Sequence, residues 1–318
     1  MSWLRSFFAW FAMWRSRNGV LLERNGGLGD LLCLLPSLAA LKAQSPKRKV
    51  LLITSRAFVP LMKQAGVLDA GVSSDTRGLQ WWRRHLGGKS VWLPDELLPP
   101  KPRAAIHLIE EFARSLSLKD VETKHRRIKA PSALIQRARQ NLYSQPLIVI
   151  HSGPTWPVKM WPQGKWQQLV EALQQEFGAL VMQVGADTHD SQSNVVAARI
   201  PGAKDLIGCL SLLEILALLG EAKLFVGVDS GLLHLAASSG TATVGLFGPT
   251  LSHCILPHGE NYLGVSAPVP CTGCHYGDPA PMHWRTGCSH EIRCMESLSL
   301  EAVLSQCRRL LNAPKECP

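Results

Sequence analysis

The strongest constraint on the fold is a strand–turn–helix alternation that runs through the first half of the chain and then starts again. Residues 20–24 read as a short strand and residues 25–29, Asn-Gly-Gly-Leu-Gly, as a turn. Asp30 then opens a helix to about residue 43, with Leu31, Leu34, Leu35, Leu38 and Leu41 at helical spacing. Residues 50–54 read as the next strand and 58–64 as the start of another helix. After a less regular middle, with helices expected over 106–115 and 134–143, the pattern restarts. Strands are expected at 147–150, 180–184, 224–228 and 243–247, and helices at 162–178, 212–219, 231–238 and 298–311. Such alternation predicts α/β architecture with parallel sheets, as two consecutive Rossmann-like units. The expected division is an aromatic and basic N-terminal helix over 1–19, a first unit over 20–144 and a second over 145–318.

Charge separates the halves. Residues 1–144 carry 24 Lys and Arg against 10 Asp and Glu, while residues 145–318 carry 10 against 14. This asymmetry predicts an anionic partner bound mainly by the first half. The basic residues form no single tract and accompany no nucleic-acid-binding signature, so nucleic acid is not the expected partner. The N-terminus has Leu4, Phe7, Phe8, Phe11 and Trp14 on one helical face, with Arg5, Arg15 and Arg17 supplying charge. It is too short to span a bilayer. It reads either as an interfacial helix making peripheral membrane contact through residues 3–17, or as a helix packed on the protein's own surface. The expected location is cytoplasmic, peripheral on the inner membrane.

In doubly wound sheets, ligands bind beyond the carboxyl ends of the strands. One such place is Asp229-Ser230-Gly231 between a strand and a helix. A helix start offers open N–H groups and partial positive charge, which suits phosphate. Ser230 can cap that helix, Gly231 allows close ligand approach, and His234 lies one turn in; a simple capped helix is the plainer reading. Lys159, on a loop in the acidic half, can neutralise a diphosphate with Thr155 as a donor, or can be ordinary surface charge. Asp30, after a Gly-rich turn, reads as a helix N-cap.

Three segments together resemble glycosyltransferase family 9, the bacterial heptosyltransferases. They are Gly29-Asp30-Leu-Leu-Cys-Leu-Leu-Pro36; Gly153-Pro-Thr155-Trp-Pro-Val-Lys159-Met-Trp161-Pro162; and Phe225-Val-Gly-Val-Asp229-Ser230-Gly231-Leu-Leu-His234 followed by Phe247-Gly-Pro-Thr250. The resemblance implies a GT-B fold of two facing Rossmann-like domains, the first for the acceptor and the second for a nucleotide-sugar donor. It implies inverting transfer without a catalytic metal. Asp30 matches the family's general base, Thr155 and Lys159 its diphosphate contacts, and Asp229, Ser230, Gly231 and His234 its donor-binding segment. Ser230 stands where the family often has Thr. Asp187 and Asp190 are both candidates for holding the donor ribose.

The expected reaction is transfer of heptose from ADP-heptose to an acidic lipopolysaccharide-core glycolipid. Another sugar, or a protein or other glycan acceptor, is the alternative within the class; a noncatalytic nucleotide-sugar binding or scaffold protein is the alternative outside it.

Nine cysteines are many for a cytoplasmic chain. Cys33 and Cys209 lie in apolar segments and are expected to be core. Cys271, Cys274, Cys288 and Cys294 can surround a structural zinc or iron, remain free thiols, or form disulfides.

Overall fold

A computed structural model describes residues 11, 19–79, 89–92, 106–140, 145–153, 156–187, 198–277, 282–283 and 287–313. The expected N-terminal helix, apart from Phe11, lies outside them, as do Thr155 and Asp190. Described residues up to Ile128 form one compact unit, with Ile106 and His107 excepted; those two and the residues from Lys129 onward form a second.

The first unit has a parallel four-stranded sheet. Its strands are β1 (Val20–Glu23), β2 (Val50–Thr54), β3 (Ala70–Ser73) and β4 (Lys89–Trp92), in the order β3-β2-β1-β4. Helix α1 (Leu28–Gln44) follows β1, α2 (Val59–Gln64) follows β2, and α3 (Leu108–Ser115) packs against α1. Every residue of β2 is buried, as expected for a strand covered on both faces. Leu51, Ile53, Ala70, Val72 and Leu79 form one core cluster there.

The second unit has a six-stranded parallel sheet, ordered β10-β9-β8-β5-β6-β7. The strands are β5 (Leu147–His151), β6 (Leu180–Gln183), β7 (Lys204–Asp205), β8 (Leu224–Val228), β9 (Thr243–Phe247) and β10 (Tyr262–Ser266). Between them run α4 (Ser132–Gln140, before β5), α5 (Gln163–Phe177), α6 (Leu212–Glu221), α7 (Gly231–Ser239) and α8 (Ser252–Ile255). Local chemistry sets several ends. Gly178 adopts the left-handed conformation that closes α5, and Ser211 with Glu214 forms a reciprocal capping box at α6. The core is built from Ile148, Ile150, Trp166, Val226, Leu246 and their neighbours. Beyond β10 lie a small hairpin of β11 (Met282–His283) and β12 (Gly287–Cys288), α9 (Arg293–Glu296) and α10 (Leu300–Asn312).

Strand order decides where a ligand can sit. In the first sheet the chain moves outward from β1 to β3, then reappears on the other side of β1 as β4. In the second it moves outward from β5 to β7, then returns beside β5 as β8. Each reversal opens a crevice at the carboxyl ends of two adjacent strands. The loop after β1 leads to Asp30; the loops after β5 and β8 carry Lys159 and Asp229.

One expectation needs correction here. Cys209 is exposed rather than core. It lies in the turn after β7, where its thiol bonds the carbonyl of Ile207, because the apolar run of α6 begins only at Leu212. Cys33 is buried as expected.

Candidate active site

In the second unit, the loop after β5 folds into a one-turn 3-10 helix, Pro157–Lys159, which ends on the lysine. Its ammonium lies 2.8 Å from the Oδ2 of Asp229. The Thr250 hydroxyl donates to the same oxygen at 2.6 Å, in a buried position. The loops after β5, β8 and β9 thus converge on one carboxylate. Burial pushes the Asp229 carboxyl up. The Lys159 cation and its hydrogen bond, the Thr250 hydroxyl and His234 outweigh that, holding the carboxyl below its usual range. Asp229 is therefore an anion whose first task inside the protein is to hold Lys159.

Ser230 occupies the N-cap position of α7, but its side chain makes no capping hydrogen bond. The expected cap is replaced by a backbone contact, Leu233 N–H to Ser230 C=O. With its backbone extended, the Ser230 hydroxyl is buried and has no hydrogen-bond partner among the described residues. Gly231 is the first residue of α7, and His234 is buried one turn further on. Asp187, past the end of β6, is engaged separately. Arg199 bonds it at 3.1 Å and also reaches Asp205 at 2.9 Å. The structure brings Lys159, Asp229 and His234 together and leaves Asp187 outside that group.

In the first unit, α1 begins at Leu28 with Gly27 as its cap, so Asp30 sits within the first turn and is not the N-cap. Its Oδ2 accepts from Arg24 Nη2 at 2.7 Å. Sequence reasoning missed Arg24 and Thr250. Arg24 ends a strand run like any other basic residue, and Thr250 closes the Phe247–Thr250 motif with no local sign of its carboxylate partner.

The four clustered cysteines are free thiols, so the disulfide alternative is not realised. Burial first, and then the neighbouring Cys294, Cys271 and Cys288, push the Cys274 thiol up to about 11. Cys294 is raised by burial and by Cys271 and Cys288. The four sulfurs therefore share one electrostatic neighbourhood. Glu291 and Ile292 both adopt positive φ, which costs an L residue energy unless its surroundings hold it there. That bend places the Ile292 N–H 3.1 Å from Cys288 Sγ and leads into α9, which carries Cys294. Four thiols are the soft donor type that suits zinc or iron, although their sulfurs are not all gathered within 4.8 Å of one another.

Parallel α/β units with charged groups at their strand-order reversals define a class of proteins that bind ligands in the crevices beyond strand ends. Residues 65–280 match glycosyltransferase family 9 (heptosyltransferase), and the chain belongs to that family. Lipopolysaccharide heptosyltransferase 1 of Pseudomonas aeruginosa is 30% identical over 129 residues, 41% of this chain and 36% of that protein. Lipopolysaccharide heptosyltransferase 3 of Escherichia coli K12 is 34% identical over 163 residues, 50% of this chain and 44% of that protein. The matches thus span less than half the length of these curated relatives. Among solved structures, the iron-containing dodecameric glycosyltransferase TibC of enterotoxigenic E. coli superposes with a TM-score of 0.73 at 19% identity, covering 93% of this chain and 79% of that one. A family 9 glycosyltransferase of Veillonella parvula gives 0.72 at 14%, covering 93% and 98%. The expected α/β fold with parallel sheets is therefore the family's fold.

Proposed function

We propose that this chain is an inverting glycosyltransferase that moves a heptose from ADP-heptose to an acidic lipopolysaccharide-core acceptor. The observation that carries the reading is the Lys159–Asp229–Thr250 group at one strand-order reversal, with Asp30 as the candidate base in the first turn of the helix that follows β1 in the other unit. In this reading the acceptor hydroxyl gives its proton to Asp30 as its oxygen attacks the anomeric carbon. The bond from that carbon to the diphosphate oxygen breaks, and the electron pair leaves with ADP. Lys159 and the open N–H groups at the start of α7 stabilise the departing charge. Thr155 adds a donor to the diphosphate, Ser230 and His234 complete the donor segment, and Asp187 holds the ribose after exchanging its Arg199 contact. No metal enters the chemistry.

The basic first half supports an acidic acceptor. Residues 3–17 are assigned to peripheral contact with the inner membrane on its cytoplasmic side; among the described residues no helix is long and apolar enough to cross a membrane. Cys271, Cys274, Cys288 and Cys294 are assigned to a structural zinc or iron, which when bound would tie the hairpin and α9 to the loop at Cys271. Metal analysis of the protein and of a Cys271→Ser/Cys274→Ser variant tests this; equal content in both rejects it.

A thermal-shift screen of ADP-heptose, UDP-sugars and GDP-sugars tests the donor. Stabilisation by ADP-heptose is expected, and stabilisation only by the others overturns that donor. Donor binding without transfer to any lipopolysaccharide-core acceptor would favour the noncatalytic alternative.

A further inference from the structure

We infer that Arg24 is a positioning residue for the reaction: its buried guanidinium fixes the carboxylate of Asp30 so that one oxygen faces the acceptor. This rests on the reading of Asp30 as the base.

Arg24 directly follows β1, and its N–H bonds the carbonyl of Ile53 on the neighbouring strand. Its side chain is 6% exposed, that of Asp30 31%. The guanidinium carbon lies 5.5 Å from the centre of the Phe112 ring, a cation–π arrangement that anchors it to α3. From this anchor Nη2 holds Asp30 Oδ2 at 2.7 Å. Among the described residues the other oxygen, Oδ1, is left open. A carboxylate on the first turn of a helix has two side-chain torsions; one charge-assisted bond to a fixed donor removes most of that freedom. Proton transfer needs that geometry, because a displacement of about 1 Å can cost on the order of 100-fold in rate.

A second feature shows that the pair needs room. A Cβ on Gly26 would come 2.6 Å from Asp30 Oδ2 and 2.8 Å from Arg24 Nε. The backbone of Gly26 lies outside the left-handed region, so the position demands glycine for the pair's sake and not for the turn's. Gly26→Ala therefore wedges the pair apart without adding backbone strain.

The test uses the full chain at saturating donor with the acceptor varied. Arg24→Ala and Gly26→Ala are each expected to lower kcat by about 100-fold, with acceptor KM and nucleotide affinity little changed. Arg24→Lys should recover part of the loss. Added guanidinium ion should raise the turnover of Arg24→Ala at concentrations that leave the wild type unaffected, a response a purely structural role would not produce. Wild-type kcat in Gly26→Ala, or a loss in Arg24→Ala that neither Lys nor guanidinium restores, overturns the inference. If Asp30→Ala itself turns over normally, the reading of the base fails instead.

Discussion

The two units solve one electrostatic problem with opposite signs. In the first, the proposed working group is the acidic residue Asp30, and its partner is the basic residue Arg24. In the second, the proposed working group is the basic residue Lys159, and its partner is the acidic residue Asp229. In both pairs the partner is the more buried member: 6% against 31% in the first, 6% against 14% in the second. A buried charge without a counter-charge is costly, so each partner is kept in place by the group it supports. The difference lies in surroundings. Asp229 also has the Thr250 hydroxyl and His234, whereas Arg24 rests on an aromatic ring.

The largest effect expected concerns the first pair. Asp30→Ala should lower turnover by about 100- to 10,000-fold, read by transfer of labelled heptose; turnover within a few-fold of wild type would remove Asp30 from the chemistry. Next is the second pair. Lys159→Met leaves Asp229 buried without its cation, and denaturant unfolding at pH 7 should show a loss of about 3–5 kcal/mol. An unchanged midpoint would mean the pair does not hold this crevice together. Lys159 also supplies the principal effects lowering the Asp229 carboxyl. A carboxyl depressed in the folded state adds stability above its unfolded value and loses it as pH falls through the folded value. The variant should therefore lose less than the wild type on acidification.

His151 provides a control that neither pair touches. At the end of β5 its Nδ1–H donates to the Val184 carbonyl, and burial pushes its pKa from 6.5 down to about 4. The unfolded chain accepts a proton there before the folded one does. Stability should be complete above pH 6.5 and fall between 6.5 and about 4, by on the order of 3 kcal/mol. His151→Asn should flatten that interval, and an equal slope in both proteins would reject the assignment. The smallest effect is at Thr250: Thr250→Val removes one hydrogen bond to a buried carboxylate, worth about 2 kcal/mol, which thermal unfolding should detect.

Periodicity carried most of the fold. β2, β8 and β9 appear with the boundaries read from their apolar runs, because strands covered on both faces must be continuously apolar. β3, β4, β7 and β10 were not foreseen. Ala70–Ser73 and Lys89–Trp92 are short and mixed in character, Lys204–Asp205 is exposed, and Tyr262–Ser266 is a half-covered edge. Their pairing depends on neighbours remote in sequence. The site followed the same rule. Lys159, Asp229 and Asp30 were legible because each follows a clear strand. Their union with Thr250 and Arg24 was not, since a residue's partner across strand ends leaves no local pattern. The missing cap at Ser230 shows the same limit: the residue type fits a cap, and only the backbone conformation decides whether the side chain is used as one.

The proposed reaction divides the work between a proton acceptor in the first unit, Asp30, and a diphosphate-binding residue in the second, Lys159. Calorimetric titration of ADP-heptose into Asp30→Ala and Lys159→Ala measures that division directly. Asp30→Ala should bind the donor with near wild-type affinity, while Lys159→Ala should bind it at least about tenfold more weakly, as expected for loss of a charge-assisted contact. Equal weakening in both variants, or unchanged binding in Lys159→Ala, would contradict it.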